Sequence, residues 1–201
     1  MRIRAAAASL VLAAAVVHGF GVREAEARTP LVVKKFLLGT LEDSTYRFRA
    51  TGARGTQNAY RDNVVMLVFS GPVDLDSFDG RTVRIGIPSE NGLLTPADGS
   101  FYRYAEWRLD QSDPSGYAYY PRRVYRNRVL FDPTLDLGCP GMGEEASGFR
   151  ADTSYTVEVP GVDGGARRTV TTTDGTPVGT TFTTTFRTTD EFYHPFFRSA
   201  E

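Results

Sequence analysis

Few residues in this chain have the types and spacing that chemistry requires. Its two histidines are His18 and His194, and its single cysteine is Cys139. A nucleophilic triad needs a histidine held beside a serine or cysteine, and structural zinc needs four clustered ligands. Neither is readily assembled from one thiol and two distant imidazoles. Cys139 lies in a Gly- and Pro-rich stretch, residues 135–145, with no basic neighbour in sequence to lower its pKa, so it reads as a free or buried thiol and closes no internal disulfide. The run Asp74-Leu75-Asp76-Ser77-Phe78-Asp79-Gly80 invites a calcium reading. Its third Asp comes one place late for alternate ligands, and Ile85 stands where an EF-hand places its bidentate Glu. It reads better as a polar turn whose Asp side chains bond local backbone. Glu106 with Asp110, and Glu144 with Glu145, are the carboxylate pairs glycosidic chemistry would use, at separations no sequence defines. The expectation is a non-catalytic chain without metal or cofactor.

Binding chemistry is better represented. Six of the ten tyrosines fall between residues 101 and 131: Tyr102, Tyr104, Tyr117, Tyr119, Tyr120 and Tyr125. Trp107 joins them, with Arg103, Arg108, Arg122, Arg123, Arg126 and Arg128 interleaved. Flat rings flanked by guanidinium groups stack sugars or bases, or anchor a protein, because they desolvate a large area at small entropic cost. Tyr102, Tyr104, Trp107, Tyr119, Arg123 and Tyr125 are therefore the candidate ligand surface. The competing account is that Tyr and Arg alternate on the half-exposed face of long strands and pack along the sheet.

The whole chain bounds these choices. Its 201 residues suit one substantial core, and 23 Lys+Arg against 24 Asp+Glu give a net charge of −1, without the global field that a general polyanion binder uses. Nucleic acid is accordingly not an expected partner. Arg2 and Arg4 precede an uninterrupted run of small and apolar residues from position 5 to 17, the length of a signal-peptide core and too short to span a bilayer. Ala25 and Ala27 supply a small-x-small site, so cleavage is expected after Ala27, with earlier cuts near Gly19 or Gly21 as competitors. The implied destination is export to periplasm, medium or cell surface, without membrane insertion after cleavage.

Beyond residue 30 no apolar pattern holds helical spacing for three turns. Alternating runs rich in Val, Thr, Tyr and Phe occupy 31–38, 63–69, 81–87, 101–109, 122–131, 153–159, 167–173 and 180–188, bounded by Gly, Pro, Asp or Asn. These read as strands of an all-β sandwich or barrel. In the last run, Phe182, Thr184, Phe186 and Thr188 share one face, with Thr181, Thr183, Thr185 and Arg187 on the other. Residues 39–58 read as a polar connection. A turn-forming Asp152-Thr153 before Tyr155 is the arrangement of a tyrosine corner, which would leave Phe149 in the core.

Three tracts together resemble the bacterial Ig-like domain of the S-layer-protein type, a relative of the fibronectin type III sandwich. They are Val65-Met66-Leu67-Val68-Phe69-Ser70-Gly71-Pro72-Val73-Asp74 with Thr82-Val83-Arg84-Ile85, then Asn127-Arg128-Val129-Leu130-Phe131-Asp132-Pro133, then Gly148-Phe149-Arg150-Ala151-Asp152-Thr153-Ser154-Tyr155 leading to the Phe-Thr-rich strand after residue 181. The family often carries an acidic residue where Gly71 stands. The resemblance implies an immunoglobulin-like β-sandwich over residues 60–189, enlarged at about 88–126, after a signal peptide (1–27) and a lead-in (28–59), and followed by a tail or linker (190–201). It also implies a structural or adhesion module of a surface or secreted protein, with a protein or cell-envelope glycan as partner. A carbohydrate-binding module using the Tyr/Trp/Arg-rich insertion is the alternative, and a secreted hydrolase comes third.

Overall fold

A computed structural model describes residues 29–42, 45–50, 58–109, 112, 114, 119–133, 148–191 and 193. Residues 1–28, where a signal peptide is expected, residues 134–147 with Cys139, Glu144 and Glu145, and also Asp110, Tyr117 and His194, lie outside the described residues. The described residues form ten strands: β1 (Val33–Glu42), β2 (Thr45–Ala50), β3 (Asn58–Ala59), β4 (Val64–Phe69), β5 (Arg84–Pro88), β6 (Leu94–Pro96), β7 (Ser100–Leu109), β8 (Tyr119–Asp132), β9 (Ser154–Val159) and β10 (Phe182–Thr188). They make two five-stranded sheets, ordered β2-β1-β4-β8-β7 and β3-β10-β9-β5-β6. Neighbours run antiparallel except for the two-residue β3–β10 pairing. The protein is an all-β sandwich, as the alternating patterns predict.

Alternation explains which residues meet between the sheets. From the first sheet come Phe36, Leu38, Val65, Leu67, Phe69, Val129 and Phe131, and from the second Ile85, Tyr155, Val157, Val159 and Phe186, all buried in one cluster. In β10 Phe186 and Thr188 are buried and Phe182 and Thr184 are partly so, while Thr183, Thr185 and Arg187 face water. That is the division its period of two predicts.

Two expectations need correction, and the tail adds a contact. Residues 39–58 are more than a connection: β1 runs on to Glu42 and β2 pairs back along it, Leu37 opposite Ala50. Gly39 permits this pairing, because a Cβ there would sit 2.5 Å from the Phe48 ring. Residues 167–173 form no strand; Thr171 makes a single bridge to Pro177, and the segment is held by turns instead. The tail is docked for at least its first residues, since the Arg61 amide donates to the Glu191 carbonyl at 2.9 Å and the Tyr193 amide to an Asp62 carboxylate oxygen at 2.8 Å.

The crossing from β8 to β9 carries the chain between sheets and ends in a pinned corner. The Arg150 amide donates to the Tyr155 phenol oxygen at 2.8 Å, and the Thr188 hydroxyl donates to the Arg150 carbonyl at 2.5 Å. Both polar groups of this turn residue are thereby satisfied from the strands it precedes. Gly148 has a φ of +74°, and a Cβ there would come within 2.3 Å of the Arg61 carbonyl oxygen, so only glycine fits. Phe149 is then delivered into the core, its ring 4.7 Å from Tyr155 and 5.0 Å from Phe186. Tyr155→Phe keeps the ring contacts and removes only the acceptor for the Arg150 amide. We expect it to lower unfolding stability by about 1–3 kcal/mol in urea melts; an unchanged midpoint would show that the corner bond contributes nothing.

Candidate functional site

The candidate surface is built on β7 and β8, which leave the sheet as a hairpin. Near the sheet they pair regularly, Phe101 opposite Phe131 and Arg103 opposite Val129. The register then jumps to Ala105 opposite Val124, so one residue of β7, Tyr104, faces four of β8, residues 125–128. A second shift falls between Glu106 and Trp107. Beyond it Trp107 pairs with Pro121, Arg108 with Tyr120 and Leu109 with Tyr119. Bulges bend a strand and re-aim its side chains. Here the large bulge divides the aromatic set in two.

The proximal group is packing. Val64, Met66, Tyr104 and Leu130 are buried on the outer face of the first sheet, with Leu37, Phe48, Val68, Tyr102 and Tyr125 packed around them. Tyr104 meets Phe48 edge-on at 5.7 Å and stacks on Tyr125 at 5.3 Å. Arg128 lies 4.0 Å over the Tyr125 ring and 5.8 Å from that of Tyr104, and Arg123 covers Tyr125 at 4.6 Å. The Arg128 Nε is buried without a hydrogen-bond partner, so ring faces hold this guanidinium on that side. The Tyr125 hydroxyl donates to the Glu106 carboxylate. That bond, with desolvation behind it, raises the Tyr125 pKa above the ordinary phenol value, and burial does the same for Tyr104. Tyr102 reaches Asp132 at 3.4 Å. Tyr102, Tyr104 and Tyr125 therefore form a second apolar layer over the sheet. The sequence carried a signal for this layer: β4, Val-Val-Met-Leu-Val-Phe, is an unbroken apolar run, which marks a strand buried on both faces.

The distal group is displayed. Trp107 is 52% exposed, Tyr119 47%, Tyr120 44% and Val124 51%. Arg108, Arg122 and Arg123 are exposed beside them. From residue 105 to 109 and from 119 to 124 the two strands pair only with each other among the described residues. Pro121, which donates no ladder hydrogen bond, is tolerated in such a ribbon. The arm is fixed at its root by Arg103, whose guanidinium donates to the Arg126 carbonyl at 2.9 Å and the Val73 carbonyl at 3.1 Å. Of the six candidate residues, Trp107 and Tyr119 share the exposed arm, Arg123 caps the packed layer, and the other three tyrosines belong to that layer. Arg108 and Tyr120, paired with each other, are displayed on the opposite face of the ribbon from Trp107 and Tyr119, and nothing in the sequence singles them out from their neighbours.

The acidic turn has structural duties. Asp74 caps a single 3-10 turn, Leu75–Ser77, accepting from the Asp76 amide at 3.2 Å. Asp79 accepts from the Arg81 and Thr82 amides at 2.7 and 2.9 Å, and Arg168 stands 3.6 Å from its other oxygen. Among the described residues no group of three His, Cys, Asp or Glu side chains is placed to hold a metal ion. Beside the hairpin base the sheet edges leave a cleft of about 410 Å³ lined by Val83, Ile85, Leu94, Ala97, Phe101 and Phe131 among others. Its charged member, Arg84, pairs with Glu158 at 3.5 Å. No described helix is long and apolar enough to cross a membrane. Comparison with known proteins found no family model, no curated protein and no solved structure that matches the chain.

Two outcomes follow from this division. Tyr104→Ala removes a buried ring from the outer layer and should cost about 3 kcal/mol, whereas Trp107→Ala should change stability by no more than about 0.5 kcal/mol. Comparable losses in denaturant melts would contradict the split into a packed and a displayed half. The carboxylates give a pH signature. The Arg81 amide, helped by Thr82 and Arg168, lowers the Asp79 pKa, and the amide and hydroxyl of Thr181, both donating to Asp163, lower that of Asp163. A depressed folded-state pKa means stability fully present above the unfolded value of about 4 and lost as pH falls through the lower folded value. Urea midpoints should therefore fall below about pH 4, and Asp163→Asn should flatten part of that slope; an identical slope in the variant would remove Asp163 from the account.

Proposed function

We propose that the chain is an exported, non-catalytic, immunoglobulin-like module that serves a bacterial surface or secreted protein by structural contact or adhesion. The observation that carries the reading is the wiring. With β1, β4, β8 and β7 taken as A, B, E and D, and β5, β9 and β10 as C, F and G, the sheet orders fit the A-B-E-D and C-F-G plan of immunoglobulin sandwiches. Tyr155, near the start of the strand in the F position, adds support, because its phenol bonds backbone five residues upstream as a corner tyrosine does. So does the course of the chain. It enters at Leu31 and Val33, beside Val178 and the Phe69 end of β4, and leaves past Thr188, beside Ala59 just ahead of the opposite end of β4. Entry and exit at opposite poles suit a spacer.

The polar side chains fit the same reading. Asp74, Asp79 and Asp163 brace turns, Glu158 pairs with Arg84, and Glu106 receives Tyr125, so each has a role in holding the fold. The basic start, short apolar run and Ala25-x-Ala27 site support export. Expression of the whole chain in a bacterial host tests it. A product recovered outside the cytoplasm with Arg28 at its N-terminus is expected; a cytoplasmic product with residues 1–27 intact would overturn the export reading.

A further inference from the structure

The outer edges of the two sheets are not alike. β3 and β6 are two and three residues long, and β6 ends in Pro96, so neither offers another strand much of a ladder. In the arm, the free edge of β8 is interrupted by Pro121 and by Arg122, the residue left over at the second register shift. β7 has none of these devices. It closes its sheet as a ten-residue edge, Ser100–Leu109, without Pro, Gly or Lys, and the extra residues of both register shifts belong to β8. Among the described residues no strand pairs with its outer side. Past Arg103 the arm carries that edge beyond the body for roughly 15 Å, at about 3.3 Å per residue over residues 105–109. An isolated two-stranded ribbon is marginal in water, and a further strand is what it lacks.

Cross-strand partners point to the same side, so Ala105, Trp107, Tyr119, Pro121 and Val124 share one face of the arm, and Glu106, Arg108, Tyr120 and Arg123 the other. The first face continues the side of β7 that carries Phe101 into the core, yet Trp107, Tyr119 and Val124 on it are about half exposed. We propose that a second copy of this chain covers the arm by pairing its own β7 antiparallel along this edge, centred on Trp107. A two-fold axis there sets Trp107 against Trp107 and Ala105 against Leu109, and it sets each Glu106 against the Arg108 of the second copy. Opposite charges directly across a ladder stabilise it, and like charges destabilise it. An axis centred on Glu106 or on Arg108 puts like charges face to face, so the charges select the Trp107 register. Arg108 has no ion-pair partner among the described residues. Glu106 uses Oε1 to accept from Tyr125, so its other oxygen remains for a guanidinium. From residue 105 to 124 the sequence holds three acids, Glu106, Asp110 and Asp113, and three arginines, Arg108, Arg122 and Arg123. That balance supplies no field to draw a polyion and no net repulsion between copies. Antiparallel pairing also directs the two sandwich bodies away in opposite directions.

This contact goes beyond the role proposed above and stands whether or not the chain is exported. The only tryptophan of the chain is Trp107, so its fluorescence reports from the proposed edge alone. Sedimentation velocity and Trp107 emission are followed on the purified full chain as its concentration rises. We expect monomer at about 5 µM and mostly dimer at about 500 µM, the scale of a small interface, with emission moving to the blue as dimer forms. Arg108→Glu sets two acids against each other at both symmetric positions and should weaken the dimer about tenfold. Adding Glu106→Arg restores opposite charges in reversed order and should bring the affinity back to within about threefold of the original. If either side chain served only its own fold, the double variant would be the worse of the two. Trp107→Ala should also weaken the dimer, at an unchanged thermal midpoint of the dilute monomer. A chain monomeric throughout, a dimer indifferent to Arg108→Glu, or a double variant as weak as the single one would overturn the proposal. A monomer whose Trp107 emission shifts on phosphatidylcholine vesicles would also overturn it, in favour of a bilayer. All of these readouts use the purified chain, so failure here and failure of export are separately visible.

Discussion

The bond between the Tyr155 phenol and the Arg150 amide is the constraint on which most of this sandwich depends. Two sheets joined by a long crossing have no local reason to keep their strands in register. At the end of the β8-to-β9 crossing, one turn residue is bonded through its amide to β9 and through its carbonyl to Thr188 of β10. The same turn places Asp152 at a φ of +48°, a left-handed conformation that Asp accepts more readily than most residues. Once the turn is fixed, Phe149 falls between Phe131 of one sheet and Tyr155 and Phe186 of the other, at 6.1, 4.7 and 5.0 Å. That ring is one contact shared by the two sheets; Phe36 on Phe186, 6.1 Å apart, is another. The neighbouring Arg61 carbonyl receives the Phe149 amide at 2.8 Å, and the Arg61 Nε donates to the Phe149 carbonyl at 2.9 Å. Docking of Glu191 and Tyr193 onto Arg61 and Asp62 extends the same network.

The opposite pole is held by different means. Ser70 bonds Val32 in both directions, amide to carbonyl at 2.9 Å and amide to hydroxyl at 3.1 Å, which ties the entering chain to the end of β4. Asn127 donates to the Phe69 carbonyl, the Val73 amide to the Arg126 carbonyl, and the Asp74 amide to the Thr171 carbonyl. The residues between Phe69 and Asp74 thus exchange hydrogen bonds with the entering chain, the hairpin root and the Thr171 segment. This gives a physical reason for the Phe-Ser-x-Pro-Val-Asp and Asn-x-apolar-x-Phe tracts to occur in one chain, since each supplies a partner for the other.

Much of this was legible in the sequence because period-two alternation encodes faces directly. The β10 faces and the corner at Tyr155 depend on residues close together in the chain. What was not legible depends on pairing at a distance. Residues 39–58 look polar and irregular, yet β2 forms because Gly39 makes room for Phe48 beside it, a relation visible only once the strands are paired. Residues 167–173 have strand composition, but the nearby turn at residues 172–176 holds its own backbone, the Thr176 amide donating to Thr172 Oγ1 at 2.9 Å, so no ladder develops. The docked tail is likewise recognisable only from Asp62 and Tyr60, far back in the chain.

The aromatic tract shows how a single sequence pattern acquires two physical roles. Between Arg103 and Ala105 lies one residue of β7, while between Val124 and Val129 lie four of β8. A regular ladder cannot absorb that excess, so β8 must bend where it occurs. The bend brings Tyr125 and Arg128, three apart in sequence, onto the same ring of Tyr104. On the sheet side of the bulge Tyr102 and Tyr104 are drawn into the outer layer over Met66 and Leu130, while Phe101, Val129 and Phe131 face the other sheet. Everything beyond it loses the underlying sheet, and with it the apolar surface that would have buried Trp107 and Tyr119. Without the bulge, the same tyrosines and arginines would continue along a flat strand, packed or exposed by simple alternation. The register shift is therefore the structural event that separates the rings that stabilise the sandwich from those available to meet a partner.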